Sequence, residues 1–149
     1  MHPSQPLTSG VWAGDWSADD KLTPIQRIQL TNSDVISFHN YDSPAEFEQR
    51  IMQLRRCRRP ILCTEYMARP RGNTFDLILP IAKRLGVAAI NWGFVAGRSQ
   101  THYPWDSWQK PYVDHEPPVW FHDIFYMDGN AYREEEVTFI RQQTGRAAR

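Results

Sequence analysis

Residues 60–69 read PILCTEYMAR. The uncharged residues Ile61 to Thr64 run straight into Glu65, with Tyr66, Met67 and Arg69 close behind. A short apolar run opened by a proline has the length of a buried strand. A carboxylate at the end of such a strand is either paired within the fold, for instance with Arg69, or left available for chemistry. Three other runs have the same character: PLTSGVW (6–12), DVISFHNY (34–41) and AAINWGF (88–94). The four recur roughly every 27 residues, enough for a strand and the helix that returns the chain.

Helical stretches fill the gaps. SPAEFEQRIMQLRRC (43–57) opens with Ser43 as N-cap, Pro44 at the first helical position and Glu46 closing a capping box. Phe47, Ile51 and Leu54 then fall on one face. TPIQRIQL (23–30) has Thr23 as cap and Pro24 leading. NTFDLILPIAKRLG (73–86) is capped by Asn73 or Thr74 and stopped by Gly86, with Pro80 expected to bend or restart it. A polar and aromatic loop follows from Gly97 to Pro118, then a short predicted helix over 119–126, a turn at Asp128-Gly129 and a last helix from about 133 to 143. Repeated βα units imply parallel strands with right-handed crossovers. A small open doubly wound sheet fits this α/β pattern. So does half of a (β/α)8 barrel, whose full length is about 250 residues.

The chain has 149 residues, 41% of them hydrophobic, and zero formal net charge, which suits one packed domain over 1–149. No basic excess is present to neutralise phosphates, so a nucleic-acid partner is not expected. Arg55, Arg56, Arg58 and Arg59 form the one basic cluster, at a helix end where cations complement the dipole. No apolar run approaches the ~18 residues of a membrane span. The stretch MHPSQPLTSG lacks the features of a signal peptide, so a secreted or periplasmic location would require one elsewhere in a longer protein. Cys57 and Cys63 are too few for a disulfide framework or a zinc site and read as buried thiols. The six tryptophans, Trp12, Trp16, Trp92, Trp105, Trp108 and Trp120, are too many to be all core.

In parallel folds function gathers at the C-terminal ends of the strands. The first run ends at Trp12, with Asp15 and Trp16 beyond it; the second ends His39-Asn40-Tyr41; the third ends at Glu65; the fourth carries Asn91 and Trp92. Carboxylate, imidazole, phenol and indole on one rim suit a sugar, which stacks on flat faces and bonds through its hydroxyls. No Gly-rich phosphate loop or G-x-S-x-G elbow is present. His39, His102, His115 and His122 lie on separate segments without paired metal spacing, so neither a metal nor a cofactor is implied.

The segments SFHNY, PILCTEYMAR, INWGFVAG and YPWDSW together resemble the C-terminal half of a clan A glycoside hydrolase. These are retaining (β/α)8 glycosidases that include cellulases, mannanases and xylanases. EPPVWFHDIFYMDGNAY resembles the closing region of family 5-like members, and the likeness covers roughly residues 5–144. It implies a TIM-barrel type fold of which this chain holds about four βα units, strands five to eight. It also implies an enzyme cleaving β-linked oligo- or polysaccharides by double displacement. Glu65 would be the nucleophile, His39 and Tyr41 its catalytic neighbours, and Trp92 the floor under the sugar. The clan's second acid ends strand four in an Asn-Glu pair. No such pair occurs here, so the acid/base is expected upstream.

Retaining hydrolysis needs two carboxyl groups about 5–5.5 Å apart. Trp105, Asp106 and Trp108 in the long loop are candidates for a neighbouring subsite, with Trp12 and Trp16 on the first loop. Asn91 and Arg69 are candidates to bond hydroxyls or orient Glu65. Asp15 is the one acid immediately after a strand, and as a general acid it would need a raised pKa. A half-barrel leaves strand edges bare, so the missing N-terminal half or self-association is expected to cover them. The alternatives are a non-catalytic carbohydrate-binding protein, or a flavodoxin-like α/β domain that binds a small molecule or protein.

Overall fold

The computed structural model describes residues 4–145. Three parallel strands, β1 (Ile36–His39), β2 (Ile61–Glu65) and β3 (Ala88–Ala89), form a small open sheet in chain order. Val11 adds a parallel bridge to Phe38, its N–H donating to the Ser37 carbonyl at 3.0 Å. The first run therefore lies beside β1, and all four strand-like runs stand in sequential order. A flavodoxin-like sheet would place its first strand between the second and third. That order does not occur, because Val11 flanks β1 on the side away from β2.

Helices α1 (Pro24–Asn32), α2 (Pro44–Leu54), α3 (Phe75–Leu85) and α4 (Glu134–Thr144) complete the unit. Both expected caps close reciprocally, Thr23 with Gln26 at α1 and Ser43 with Glu46 at α2. Gly86 ends α3 in the left-handed region. Two details differ from expectation. Pro80 lies inside an uninterrupted α3, and Thr74 starts that helix without a side-chain cap bond. Asn73 instead donates to the Asp42 carbonyl.

α3 packs against both α2 and α4, so these helices lie side by side. Ile36, Phe38, Ile61 and Cys63 form the strand side of the core, with Phe47, Ile51 and Leu54 of α2 and Phe75 and Ile78 of α3 opposite. Trp16, considered for sugar contact, is wholly buried there. It meets Phe38 edge-on at 6.3 Å and has the Arg50 guanidinium over its ring. Burying that indole is worth more to the core than to a rim open to water.

The arginine cluster serves the fold. Arg55 donates to the Leu85 carbonyl, Arg56 to that of Trp16, and Arg59 to those of Leu30, Thr31 and Ser33 around the end of α1. Carbonyls at helix ends have no partner within the helix, and these guanidinium groups supply one.

The helix expected over 119–126 does not form. Its backbone is committed elsewhere: Phe121 donates to His102 O, while Ile124 and Phe125 both donate to Phe94 O. Phe121 O accepts from Arg69 N–H. The segment is an extended strap along the loop after β3.

Candidate active site

The site is built on an irregularity in the β1–β2 ladder. Phe38 is opposite Cys63, but His39 is opposite Glu65, so Thr64 is an extra residue on β2. Strict alternation from Cys63, which faces the helices, would send Glu65 to the same side. The extra residue resets the alternation and brings Glu65 onto the face of His39, as bulges beside active sites re-aim side chains. Thr64 uses its hydroxyl locally, donating to Phe38 O at 3.3 Å.

The Glu65 backbone is fixed from below. Its carbonyl accepts the Asn40 N–H at 2.9 Å and the Cys63 thiol at 3.2 Å. Burial pushes that thiol up to about 12, so it stays protonated and donates. The carboxylate is gripped on both oxygens. Tyr41 donates its hydroxyl to Oε2 at 2.9 Å, and His39 Nδ1 stands 3.4 Å from Oε1. Burial first, then the charge of Glu65, holds the Tyr41 phenol well above its usual range, so it remains a donor.

Aromatic groups surround this pair. Trp105 meets Tyr41 edge-on at 4.9 Å, Trp12 lies 6.3 Å from the His39 ring, and Arg71 sits over the Trp105 ring. Four indoles are well exposed, Trp12 at 69%, Trp92 at 50%, Trp105 at 46% and Trp108 at 84%, whereas Trp16 and Trp120 are buried. Gly93 follows Trp92 at φ +130°, and a Cβ there would lie 2.7 Å from Asp123 Oδ1. Only glycine allows that turn.

Several expected site residues are used otherwise. Arg69 does not approach Glu65: it is buried and forms a two-pronged ion pair with Glu136 on α4, at 2.9 and 2.6 Å, and donates to the Trp120 and Asp123 carbonyls. A guanidinium needs several acceptors when buried, and the strap and α4 provide them. Asn91 is tied to backbone, donating to the Gly93 and His122 carbonyls at 2.7 and 2.9 Å. Asp106 is held by Lys110 at 2.9 Å, which lowers its pKa. Asp15 is held by Lys21 and Ser17 and is also shifted down, the opposite of what a general acid needs.

One residue beside the site was not legible beforehand. His122 lies buried on the strap, 5.6 Å from the Tyr41 ring. Its Nδ1 stands 2.6 Å from the Met67 carbonyl and its Nε2 2.9 Å from the Trp105 indole nitrogen. Its only sequence signal is a lone polar ring in the run VWFHDIF.

Among the described residues no group of three or more His, Cys, Asp or Glu is placed to hold a metal ion. No helix among them is long and apolar enough to cross a membrane. The fold and site together define a parallel α/β unit with a hydrogen-bonded carboxylate at a strand end among exposed indoles. Compared with family models, curated proteins and solved structures, the chain finds no match.

Proposed function

We propose that this chain is the nucleophile-bearing half of a retaining β-glycan hydrolase, built from four βα units of a (β/α)8 barrel. One observation carries the proposal: Glu65 ends β2 with Tyr41 on one oxygen and His39 beside the other, and the exposed indoles of Trp105 and Trp12 lie next to these two. Sequential strand order and side-by-side helices support the barrel.

In this mechanism Glu65 attacks the anomeric carbon, the glycosidic bond breaks, and a glycosyl ester forms on its carboxylate. Water then hydrolyses that ester. Tyr41 and His39 hold the carboxylate aimed. Trp92, Trp12 and Trp105 offer ring faces to the sugar. The proton for the leaving oxygen comes from a second carboxyl outside these four units, since Asp15 is fastened to Lys21. Beyond β3 the alternate residues Ile90, Trp92 and Phe94 are exposed, as are Leu7 and Trp12 on the far side of the sheet. Such edges suit completion by the remaining half-barrel or by a second copy.

A leaving group that departs unprotonated removes the need for the second acid. Dinitrophenyl β-glycosides of glucose, mannose and xylose therefore test the nucleophile by itself. The chain is expected to release dinitrophenolate, and Glu65→Gln to lower the rate about a hundredfold or more. Release that survives Glu65→Gln would refute the proposal. A second reading is a carbohydrate-binding protein without turnover, favoured by the exposed indoles and the engaged Asp15. It predicts oligosaccharide affinity that Glu65→Ala leaves intact and no release from any glycoside.

A further inference from the structure

His122 ties three parts of the molecule together. Met67, two residues beyond Glu65, presents a carbonyl, which can only accept, so Nδ1 carries the proton. The Trp105 indole nitrogen can only donate, so Nε2 is the acceptor. These two partners fix a neutral, Nδ1-protonated ring. Trp105 belongs to the loop from Gly97 to Pro118, which Thr101 also ties to the strap by donating to Asp123 at 2.8 Å and which carries the local Asp106–Lys110 pair. The indole also packs on Tyr41, the donor to Glu65.

We propose that His122 is a positioning residue: as the neutral tautomer it latches Trp105 to the end of β2, and through Trp105 and Tyr41 it holds the surroundings of Glu65 in place. The consequence for sugar binding rests on the glycosidase proposal; the latch itself rests on the two hydrogen bonds. A protonated ring would carry N–H on both nitrogens and set donor against donor at the indole, releasing Trp105. The Met67 carbonyl that accepts from Nδ1 favours protonation of the ring, as do the charges of Asp123 and Glu65, whereas that of Arg69 opposes it. Tyr41 is uncharged, and Arg71 sits over the ring of Trp105, which itself stacks on His122. Burial outweighs the carboxylates and lowers the His122 pKa below its ordinary 6.5. The latch is therefore closed at neutral pH and opens only on acidification below the usual histidine range.

Glutamine at this position can accept from the indole and donate to Met67 O without titrating, whereas phenylalanine can do neither. The experiment follows the indole N–H signals of the full 15N-labelled chain, with Trp105→Phe identifying that of Trp105. At neutral pH the Trp105 proton is expected to exchange about tenfold faster in His122→Phe than in wild type, with His122→Gln near wild type. Below the histidine range, wild type should exchange faster than His122→Gln at the same pH, with the other indole signals unmoved. Equal exchange in wild type and His122→Phe would overturn the latch. Should His122→Phe fail to fold, acid behaviour identical in wild type and His122→Gln would overturn it equally.

Affinity for β-linked gluco-, manno- and xylo-oligosaccharides provides the functional arm. His122→Phe should weaken whichever the wild type binds about tenfold, and His122→Gln should not. Unchanged affinity in His122→Phe would refute the positioning role. A wild type that binds no oligosaccharide yet protects its Trp105 indole would refute the glycosidase proposal and support the latch.

Discussion

Glu65 and Arg69 lie four residues apart on the same stretch, and the fold treats them oppositely. Arg69 is withdrawn from water and made to satisfy α4 and the strap at once, through Glu136 and the carbonyls of Trp120 and Asp123. Glu65 keeps some access to solvent, and its carboxylate meets only a phenol on one oxygen and an imidazole beside the other, while its carbonyl accepts from Asn40. A charge spent on the fold is surrounded until nothing is left to bond. The charge proposed for chemistry is aimed and left partly free.

Removing each charge tests that contrast. Arg69→Met should be the most damaging change, because it strands the Glu136 carboxylate and two buried carbonyls. A loss of about 3–5 kcal/mol is expected in urea denaturation. Alkaline pH should come next and should act on the Glu65 side. Cys63 and Tyr41 have folded pKa values raised above their ordinary 9.0 and 10.0. The folded chain keeps protons that the unfolded chain gives up, so stability is complete below pH 9 and falls as pH rises beyond it. Denaturation midpoints measured from pH 8 to 11 check this, and a flat profile would break the assignment of raised folded pKa values to both groups. Tyr41→Phe should cost about 1 kcal/mol and lower aryl glycoside turnover roughly tenfold, since solvent can replace one donor to a partly open carboxylate. Glu65→Gln should change stability least, by under about 1 kcal/mol, while lowering turnover about a hundredfold or more. A large destabilisation by Glu65→Gln would place Glu65 with Arg69 among the structural charges.

What the sequence revealed was local. Capping boxes need only three or four neighbouring residues, so Ser43 with Glu46 marked a helix start, as Thr23 with Pro24 did for α1. The order and spacing of apolar runs gave the parallel α/β class. Long-range commitments were hidden. The partner of Arg69 lies 67 residues away, and the strap avoids a helix because Arg69, His102 and Phe94 take its backbone bonds. The runs at 6–12 and 88–94 look as strand-like as the central ones, yet contribute only the Val11 bridge and Ala88–Ala89 to the ladder. Edge position has no local signature. Nor has the extra residue at Thr64, without which Glu65 would face the helices, or the tie between His122 and Trp105.

The most direct test of the central claim is to trap the ester. Incubation with an activated 2-deoxy-2-fluoroglycoside, which slows breakdown of a glycosyl ester, should leave one sugar on the chain. Peptide mapping by mass spectrometry should then locate it on the segment carrying Glu65. An adduct at Glu65, absent from Glu65→Gln, is the predicted result. No adduct with any of the three sugar configurations, or an adduct on another carboxylate, would contradict the account.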